Sequence, residues 1–451
     1  MTNKQQFLDA HKHNDKAVEL FNKQQFKDAL KHLEIAIKHN PKYAQAYSNM
    51  GAIHAKFKNY TKAIELYKLS ISLDPKYSGA YTNLGNSLNK IGEHEEAIHF
   101  HNLAISLDNK SANNYANCAS AYKNLGRFNR AENLYKRALN LDASHVNAHF
   151  DLATVLLQQG KYAQGFVQYE WRFQKDEMKG HIHKYQEIYK RETYKGQELQ
   201  GQRVLVHAEQ GYGDSIMVAR YLYDLKAKGA TVVLYLREAL VELFFQLPCV
   251  DEVYSRSEDI PDSDFQLPMM SLPIIFDKDL DNITTNYPYF TNKKKHPLKS
   301  KKLKIGIVWG ASNTGESYKN KVYSLRHFER MAKSDKYQLY SLQMGDDAAD
   351  LQKYNLQDDI IDLKDEIKNF EDTQAIINSL DLLITSDTSV AHLAGAMGTK
   401  VWIILQKVPD WRWGINEAYS KWYPNARLFT QYSLKDFNSV FMQIYKALDE
   451  L

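Results

Sequence analysis

The sequence predicts two kinds of structure in one chain: an all-α array of helix pairs, and after it an α/β module in two halves, each with a parallel sheet. Two observations predict this fold class. Small residues recur with a fixed period in the first third of the chain, and patterns of strand, glycine turn and helix alternate after residue 202. A chain of 451 residues is long enough for two or three such domains.

The period is 34 residues, and three series of small residues keep it: Ala29, Ala63, Ala97, Ala131 and Gly165; Ala17, Gly51, Gly85, Ala119 and Ala153; Ala36, Ser70, Ala104 and Ala138. Large residues and helix-ending prolines recur at complementary positions: Tyr47, Tyr81 and Tyr115; Tyr67, Tyr135 and Tyr169; Pro41 and Pro75. This pattern is typical of tetratricopeptide repeats, in which two short helices pack so closely that only small side chains fit between them. A plain helical bundle would not explain so strict a period. We predict a repeat superhelix over residues 1–175 and a helical connector over 176–198.

One position in the first helix of each pair is polar throughout: Asp15, Asn49, Asn83, Asn117 and Asp151. First helices are expected to line the concave side of such an array. Because an Asn amide both donates and accepts hydrogen bonds, Asn49, Asn83 and Asn117 are candidates to hold the backbone of an extended acceptor peptide. The alternative is that these amides bond to neighbouring turns or to water.

Composition limits the function classes. The net charge is only +4 and basic residues are interspersed with acidic ones, which argues against nucleic acid as the main partner. The two cysteines lie in different predicted domains, so we expect no disulfide and a buried thiol at Cys118. The N-terminus lacks the apolar segment of a signal peptide and no apolar run has the length of a membrane span, which predicts a cytoplasmic protein.

The second part of the chain reads as strands alternating with helices. Strands are predicted at 203–208, 231–236, 304–310, 337–342, 380–385 and 400–405. A lysine-rich linker separates the two Rossmann-like halves, 199–296 and 303–430, and an amphipathic helix occupies 431–451, capped by Ser433 and Asp436. The segment 259–288 is rich in proline and aspartate and is predicted to be mainly loop. Two such halves leave a cleft at the carboxyl ends of their strands, where a ligand would bind.

The best candidate for a ligand site is the segment 380–398, where an apolar strand leads into Asp387, Thr388 and Ser389 and a helix begins at once. The first turn of a helix has free backbone N–H groups and the positive end of the helix dipole, which suits a diphosphate. His392 lies one turn further along and could reach the same phosphate. The alternative is that Asp387 or Thr388 caps the helix and His392 is a core residue.

Four blocks in this part of the chain resemble the lipopolysaccharide heptosyltransferase-like enzymes, glycosyltransferase family 9 and its relatives. The blocks are Glu209-Gln-Gly-Tyr-Gly-Asp214, Ile307-Val-Trp-Gly310, Ser341-Leu-Gln343 and Ser386-Asp-Thr-Ser-Val-Ala-His-Leu-Ala-Gly395. Val408-Pro-Asp-Trp-Arg-Trp413 and Trp422-Tyr-Pro424 resemble the subgroup that is fused to tetratricopeptide repeats. The layout is also similar to that of O-GlcNAc transferase and of bacterial flagellin glycosyltransferases. The resemblance implies a GT-B fold and a bacterial-type, inverting, metal-independent glycosyltransferase whose nucleotide-sugar is a co-substrate and which needs no other cofactor.

The resemblance also implies roles for individual residues. Asp214 matches the carboxylate proposed as general base, which would take the proton of the acceptor hydroxyl, although it could simply cap the following helix. The glycine turn of Gly211 and Gly213 would face the acceptor. Donor-binding positions are Asp387, Thr388, Ser389, His392, Trp309, Gly310, Lys321 and Gln343. The match around Lys321 is imperfect, and Gln343 could equally be structural.

Two further segments have two interpretations each. Trp411, Arg412 and Trp413 could frame a ligand with aromatic faces and one cation, or could form a packed cluster. Asp262-Ser-Asp264 and Asp279-Leu-Asp281 match a short metal-binding pattern of a different glycosyltransferase architecture, but the GT-B resemblance predicts no metal. Glu170-Trp-Arg-Phe173 is expected to join the repeats to the catalytic part.

The expected function is therefore transfer of a sugar from a nucleotide-sugar to Ser or Thr hydroxyls of a protein held by the repeats. A surface protein such as flagellin is the acceptor class that the resemblance implies. One alternative keeps the chemistry but uses a glycan or lipid-linked acceptor. The other is a scaffold whose glycosyltransferase-like module has lost activity.

Overall fold

The computed structural model describes residues 3–276, 286–311, 323–433 and 436–451. The chain forms two compact units, residues 1–156 and 157–451. Among the described residues, no helix is long and apolar enough to cross a membrane.

The first unit is built from paired helices. Their bounds are α1 Asn3–Asn22, α2 Phe26–His39, α3 Ala44–Lys56, α4 Tyr60–Leu73, α5 Ser78–Ile91, α6 His94–Leu107, α7 Ala112–Asn124, α8 Phe128–Leu141 and α9 Val146–Gln158. The next helix along the chain, α10 Tyr162–Tyr169, belongs to the second unit. First helices begin at residues 44, 78, 112 and 146 and second helices at 60, 94, 128 and 162, so the structure keeps the period of the sequence.

Small residues let the paired helices approach closely. Ala29, Ala63, Ala97 and Ala131 are all fully buried. A Cβ atom added to Gly51 would lie 2.7 Å from Cε1 of Tyr67, and one added to Gly85 would lie 2.6 Å from Cε1 of His101. Gly51 and Gly85 therefore face large rings, as the repeat pattern predicts.

The second unit contains two parallel sheets. The first has strands β1 Arg203–His207, β2 Thr231–Leu236, β3 Glu252–Ser255 and β4 Phe265–Pro268 in the order β3-β2-β1-β4. The second has β5 Leu303–Val308, β6 Tyr337–Ser341, β7 Ile360–Asp362, β8 Leu382–Ser386, β9 Val401–Leu405 and β10 Ala426–Thr430 in the order β10-β9-β8-β5-β6-β7. In the larger sheet the chain starts at a central strand and winds outwards in both directions, as in doubly wound folds.

Short helices connect and cover these strands. Their bounds are Asp176–Lys184, Gln186–Tyr189, Tyr212–Val218, Leu222–Ala227, Val241–Phe245, Leu272–Phe276, Glu329–Ala332, Asp350–Lys353, Phe370–Ile377, Ser389–Ala396 and Phe437–Asp449. The last of these packs Val440, Phe441 and Ile444 onto the core of the larger sheet. Asp436 caps it by accepting a hydrogen bond from the backbone N–H of Ser439 at 3.1 Å.

The structure corrects three local predictions. The final helix begins at Phe437 and not at Ser433, because Asp436 bonds to the backbone three residues on and sets the first turn there. The connector is helical only to residue 189. Within 259–288, strand β4 pairs with β1 in parallel register, Val204 opposite Phe265. Strands β3, β4 and β7 were not predicted because three or four residues give too short a pattern to recognise. Strand β10 is as long as β1, but Arg427 interrupts its apolar run.

Candidate functional site

The site lies where the strand order of each sheet reverses. Strand β1 pairs with both β2 and β4, and β5 pairs with both β6 and β8. In doubly wound sheets, the loops at the carboxyl ends of such strands form the ligand crevice. The loop after β1 leads to the predicted base Asp214, and the loops after β5 and β8 contain Gly310 and Asp387.

Asp214 lies in the first turn of the helix Tyr212–Val218. Its Oδ2 accepts a hydrogen bond from the backbone N–H of Gly211 at 3.1 Å, which closes the helix N-terminus. Its Oδ1 forms an ion pair with Nη2 of Arg412. Only 16% of the Asp214 side chain is exposed. The capping role that the sequence left open is therefore present, together with a cation that the sequence did not predict for this carboxylate.

Arg412 holds the neighbourhood of Asp214 together. Its Nη1 donates to Oδ1 of Asp410 at 2.6 Å, and its guanidinium carbon lies 4.4 Å from the ring centre of Trp411. Burial disfavours the charge, but the carboxylates of Asp214 and Asp410 outweigh it and hold the pKa of Arg412 well above its ordinary range. Arg412 is thus a permanent cation at the candidate base.

The helix Ser389–Ala396 begins directly beyond β8. Its N-cap residue is Thr388, in an extended conformation and without a side-chain capping hydrogen bond. Instead, Oγ1 of Thr388 lies 3.2 Å from Oγ1 of Thr385. The backbone N–H groups of this first turn are therefore not capped by Thr388, which leaves them suited to an anion.

His392 brings this helix against the helix of Asp214. A Cβ atom on Gly213 would lie 2.7 Å from Cδ2 of His392, so only glycine permits this approach. The ring of His392 stacks on Trp413 at 4.7 Å, and its Nδ1 lies 3.0 Å from the hydroxyl of Tyr423. His392 is 4% exposed, and its ring is held by aromatic neighbours.

The remaining donor-site candidates have mainly structural contacts. Oε1 of Gln343 accepts hydrogen bonds from the backbone N–H groups of Trp309 at 3.0 Å and Gly310 at 2.8 Å, and its Nε2 donates to the carbonyl of Met344 at 2.9 Å. Trp309 is fully buried. Oγ of Ser386 donates to the carbonyl of Gly310 at 3.0 Å, which joins the ends of β5 and β8. Lys321 lies outside the described residues.

Some side chains at the polar position of the first helices form hydrogen bonds to neighbouring repeats. Nδ2 of Asn49 donates to Oδ1 of Asn14 at 2.8 Å, and Nδ2 of Asn83 donates to Oγ of Ser48 at 3.3 Å. Asn49, Asn83 and Asn117 are all partly exposed. Two of the three amides therefore bond to a helix of the preceding repeat and not to a neighbouring turn, and the exposed surface of all three can still meet a peptide.

Sequence reasoning missed a buried ion pair that links two of the motifs. Nη2 of Arg172 donates to Oε1 of Glu209 at 2.9 Å and to Oγ of Ser271 at 2.8 Å, and the side chain of Glu209 is fully buried. Burial raises the pKa of Glu209, although Arg172 acts in the opposite direction. The Glu170–Phe173 and Glu209–Asp214 motifs are each visible in the sequence, but no local pattern pairs them.

The metal pattern has a structural explanation where it is described. Oδ2 of Asp264 accepts a hydrogen bond from the backbone N–H of Arg203 at 2.7 Å, at the start of β1. Asp279 and Asp281 lie outside the described residues. Among the residues that are described, no group of three or more His, Cys, Asp or Glu side chains is arranged to hold a metal ion.

Comparison with known proteins identifies the first part of the chain. One family model of the tetratricopeptide repeat matches residues 14–78 and 119–170, and a second one matches residues 66–99. The N-terminal region is a tetratricopeptide-repeat array. No curated protein matches the chain.

Several solved structures are similar over about a third of the chain. MamA from Desulfovibrio magneticus RS-1 is 17% identical, with 37% of this chain and 97% of that one covered at a TM-score of 0.33. TTC0263, a thermophilic tetratricopeptide-repeat protein of Thermus thermophilus, is 21% identical, with 39% and 96% covered at 0.35. PilW, a type IV pilus biogenesis factor, is 22% identical, with 37% and 78% covered at 0.35.

Proposed function

We propose that this chain is a glycosyltransferase that moves a sugar from a nucleotide-sugar to Ser or Thr hydroxyls of a protein bound by its repeats. The observation that carries the proposal is the contact between Gly213 and His392. It brings a carboxylate, Asp214, and the N-terminus of the helix Ser389–Ala396, which the side chain of Thr388 does not cap, to the same part of the second unit. A base and a diphosphate site are the two parts that transfer from a nucleotide-sugar needs.

The chemistry follows from these two parts. Asp214 accepts the proton of the acceptor hydroxyl while that oxygen forms a bond to the anomeric carbon. The bond from the anomeric carbon to the diphosphate breaks, and the leaving oxygen keeps the electron pair. The N–H groups at Thr388 and Ser389 and the helix dipole stabilise the negative charge on the leaving nucleotide. Inversion at the anomeric carbon rests on the family resemblance alone.

Arg412 fits this scheme as a positioning residue. Asp214 already uses Oδ2 for the N–H of Gly211 and Oδ1 for Arg412. Each carboxylate oxygen has a second lone pair, so a hydroxyl can still approach. Two fixed partners orient the carboxylate, which reduces the entropy lost in reaching the reactive geometry.

The repeats bind the acceptor protein. Their first helices α3, α5 and α7 have no acidic residue in the first turn, and their partly exposed amides suit the uncharged backbone of an extended polypeptide. Binding the acceptor on the same chain as the catalytic site raises its effective concentration there. A glycan or lipid-linked acceptor would not need such a surface.

Thermal unfolding with ADP-, UDP-, GDP- and CMP-sugars tests the donor site. Nucleotide-sugars with one of these four nucleobases should stabilise the second unit against unfolding, by about 2.7 kcal/mol at a hundredfold excess over Kd. Ser389→Pro removes one backbone N–H at a position where a helix tolerates proline, and it should abolish this stabilisation. Ser389→Ala, the matched control, removes only the hydroxyl and should keep most of it. Lack of stabilisation by all four classes would contradict the proposal.

A second candidate function is an inactive protein-binding scaffold. It is favoured by the burial of His392 and by the two partners that already occupy Asp214. Asp214→Asn separates the candidates once an acceptor is in hand. An enzyme loses sugar transfer in this variant and keeps acceptor binding, whereas a scaffold transfers no sugar even as the unmodified chain.

A further inference from the structure

A small cavity lies beside Arg412, within the second unit. Its volume is about 220 Å³. Residues 158–160 and 162, at the turn between α9 and α10, line one part of it, and residues 412–415, 417 and 421 line the other. Two of its lining residues, Arg412 and Trp413, belong to the segment that the sequence assigns either to a ligand or to a packed cluster.

Two buried donors in its lining have no acceptor among the described residues. They are Nε2 of Gln158 and the indole Nε1 of Trp413. Trp413 is 1% exposed. Because buried polar groups in proteins nearly always have a hydrogen-bond partner, two orphaned donors in one cavity indicate a ligand with hydrogen-bond acceptors.

The charges around the cavity are already compensated. Arg412 is paired with Asp214 and Asp410, and Nζ of Lys421 lies 3.1 Å from Oε1 of Glu417. A phosphate or a carboxylate would have to compete with these carboxylates for the same cations. The cavity therefore suits a neutral ligand.

The lining also combines flat and polar groups. Tyr162 and Trp413 supply aromatic surface, and Gln158, Arg412 and Glu417 supply planar groups that donate or accept hydrogen bonds. A drug-sized pocket has a volume of roughly 300–1,000 Å³, so this cavity has room for about one ring. A pyranose has that size, apolar C–H faces for aromatic rings and hydroxyls for both kinds of planar group.

We infer that this cavity binds one neutral sugar ring, with Gln158 and Trp413 donating to its hydroxyl oxygens. The role of this sugar rests on the proposed function, because Arg412 lines the cavity and also forms the ion pair with Asp214. The sugar is either part of the donor or part of a glycan on the acceptor. Its binding can be measured without any transfer.

The test follows the indole N–H resonances of ¹⁵N-tryptophan-labelled full chain, with Trp413 assigned by Trp413→Phe. The probes are methyl glucoside, methyl galactoside, methyl mannoside and N-acetylglucosamine. At least one should shift the Trp413 resonance with saturation in the millimolar range, and Gln158→Leu should weaken this binding at least tenfold. Gln186→Leu makes the same change at an exposed position and should leave the binding unchanged.

Three results would overturn the inference: no shift with any of the four sugars, an equal shift in Gln158→Leu, or an equal shift with inorganic phosphate. If Gln158→Leu does not fold, tetrahydropyran replaces it as the control, because it has the ring without hydroxyls. A shift with tetrahydropyran equal to that of the sugars would then refute hydroxyl recognition.

Ser389→Pro distinguishes the two sources of the sugar. If the ring belongs to the donor, the matching nucleotide-sugar shifts Trp413 and the variant weakens that effect. If it belongs to the acceptor, the free sugar shifts Trp413 in both proteins, and no nucleotide-sugar shifts it in either. Failure of the donor screen with a positive sugar titration would refute the proposed transfer and leave the cavity assignment standing.

Discussion

The two units bury different kinds of groups. In the interior of the repeat array, small residues pack against large uncharged ones from neighbouring helices, as at Gly51 and Tyr67. The second unit buries Arg172 and Arg220, each at 2% exposure or less, and largely buries Arg412. Their partners are distant in sequence: Arg172 meets Glu209, Arg220 donates to the carbonyl of Trp422 at 2.9 Å, and Arg412 meets Asp214.

The difference shows how each unit distributes its stability. Packing of small against large residues recurs along the repeats, so each contact carries a modest share. A buried ion pair is different, because removing one partner leaves an uncompensated charge in a medium of low dielectric constant. Substitutions should therefore have their largest effects at the arginines of the second unit. All six tryptophans lie at residue 171 or later, so their fluorescence follows that unit alone.

Arg172→Leu should have the largest effect. It leaves the fully buried carboxylate of Glu209 without its cation and should lower the free energy of unfolding by about 3–5 kcal/mol. Urea unfolding followed by tryptophan fluorescence measures it. Lys190→Leu breaks the exposed pair with Glu187 and should change stability by less than about 0.5 kcal/mol. If both substitutions lower the free energy of unfolding by the same amount, buried ion pairs do not contribute more to stability than exposed ones.

His101 should make the repeat array sensitive to acid. It replaces the tyrosine of the repeat pattern, its ring nitrogens have no partner among the described residues, and burial lowers its pKa to about 4. The folded array therefore binds the proton less readily than the unfolded chain, and stability falls as the pH drops from 6.5 towards 4. The loss from near pH 7 to near pH 5 should be about 2 kcal/mol.

His101→Phe supplies the comparison, because it keeps a buried ring and removes the titrating group. Urea unfolding followed by far-ultraviolet circular dichroism, which the helical array dominates, should show a smaller loss of stability on acidification in the variant. If both proteins lose the same free energy, His101 does not cause the acid sensitivity.

Gly51→Ala tests the close packing of the array. The new Cβ would lie 2.7 Å from the buried ring of Tyr67, and overpacking of this kind costs about 1–3 kcal/mol. Gly180→Ala is the matched control in the helix Asp176–Lys184, where a Cβ atom meets nothing within 4 Å. That change should be neutral or stabilising by up to about 1 kcal/mol. A neutral Gly51→Ala would mean that the helices can separate without cost.

Asn49→Ala should have the smallest effect. It removes the 2.8 Å hydrogen bond to Asn14, which is worth about 1 kcal/mol. Asn83→Ala removes a longer bond of 3.3 Å to Ser48 and should cost less. Circular dichroism in urea can rank the two variants, and the reverse order would show that these amides do not act mainly between repeats.

The sequence predicted the repeats well and the candidate site only in part. The 34-residue spacing located the helix pairs because each contact in the array joins residues close in sequence. The six predicted strands were also recognisable, since a short apolar run between turn residues marks a buried strand. The helix start at Ser389 was predicted for the same reason: its signal is local. The capping bond of Asp214 to Gly211, three residues apart, was among the alternatives.

The ion pair between Asp214 and Arg412 joins residues 198 positions apart, and the sequence could not predict it. The chain has 58 lysines and arginines and 54 aspartates and glutamates, so charge alone does not choose a partner. The same holds for Arg172 with Glu209 and for the cavity shared by Gln158 and Trp413. The sequence by itself determined the repeat array and the alternation of strands and helices, because local periodicity encodes them. Only the tertiary structure decided which buried charges and donors meet, because those contacts depend on how the strands are ordered in the sheets.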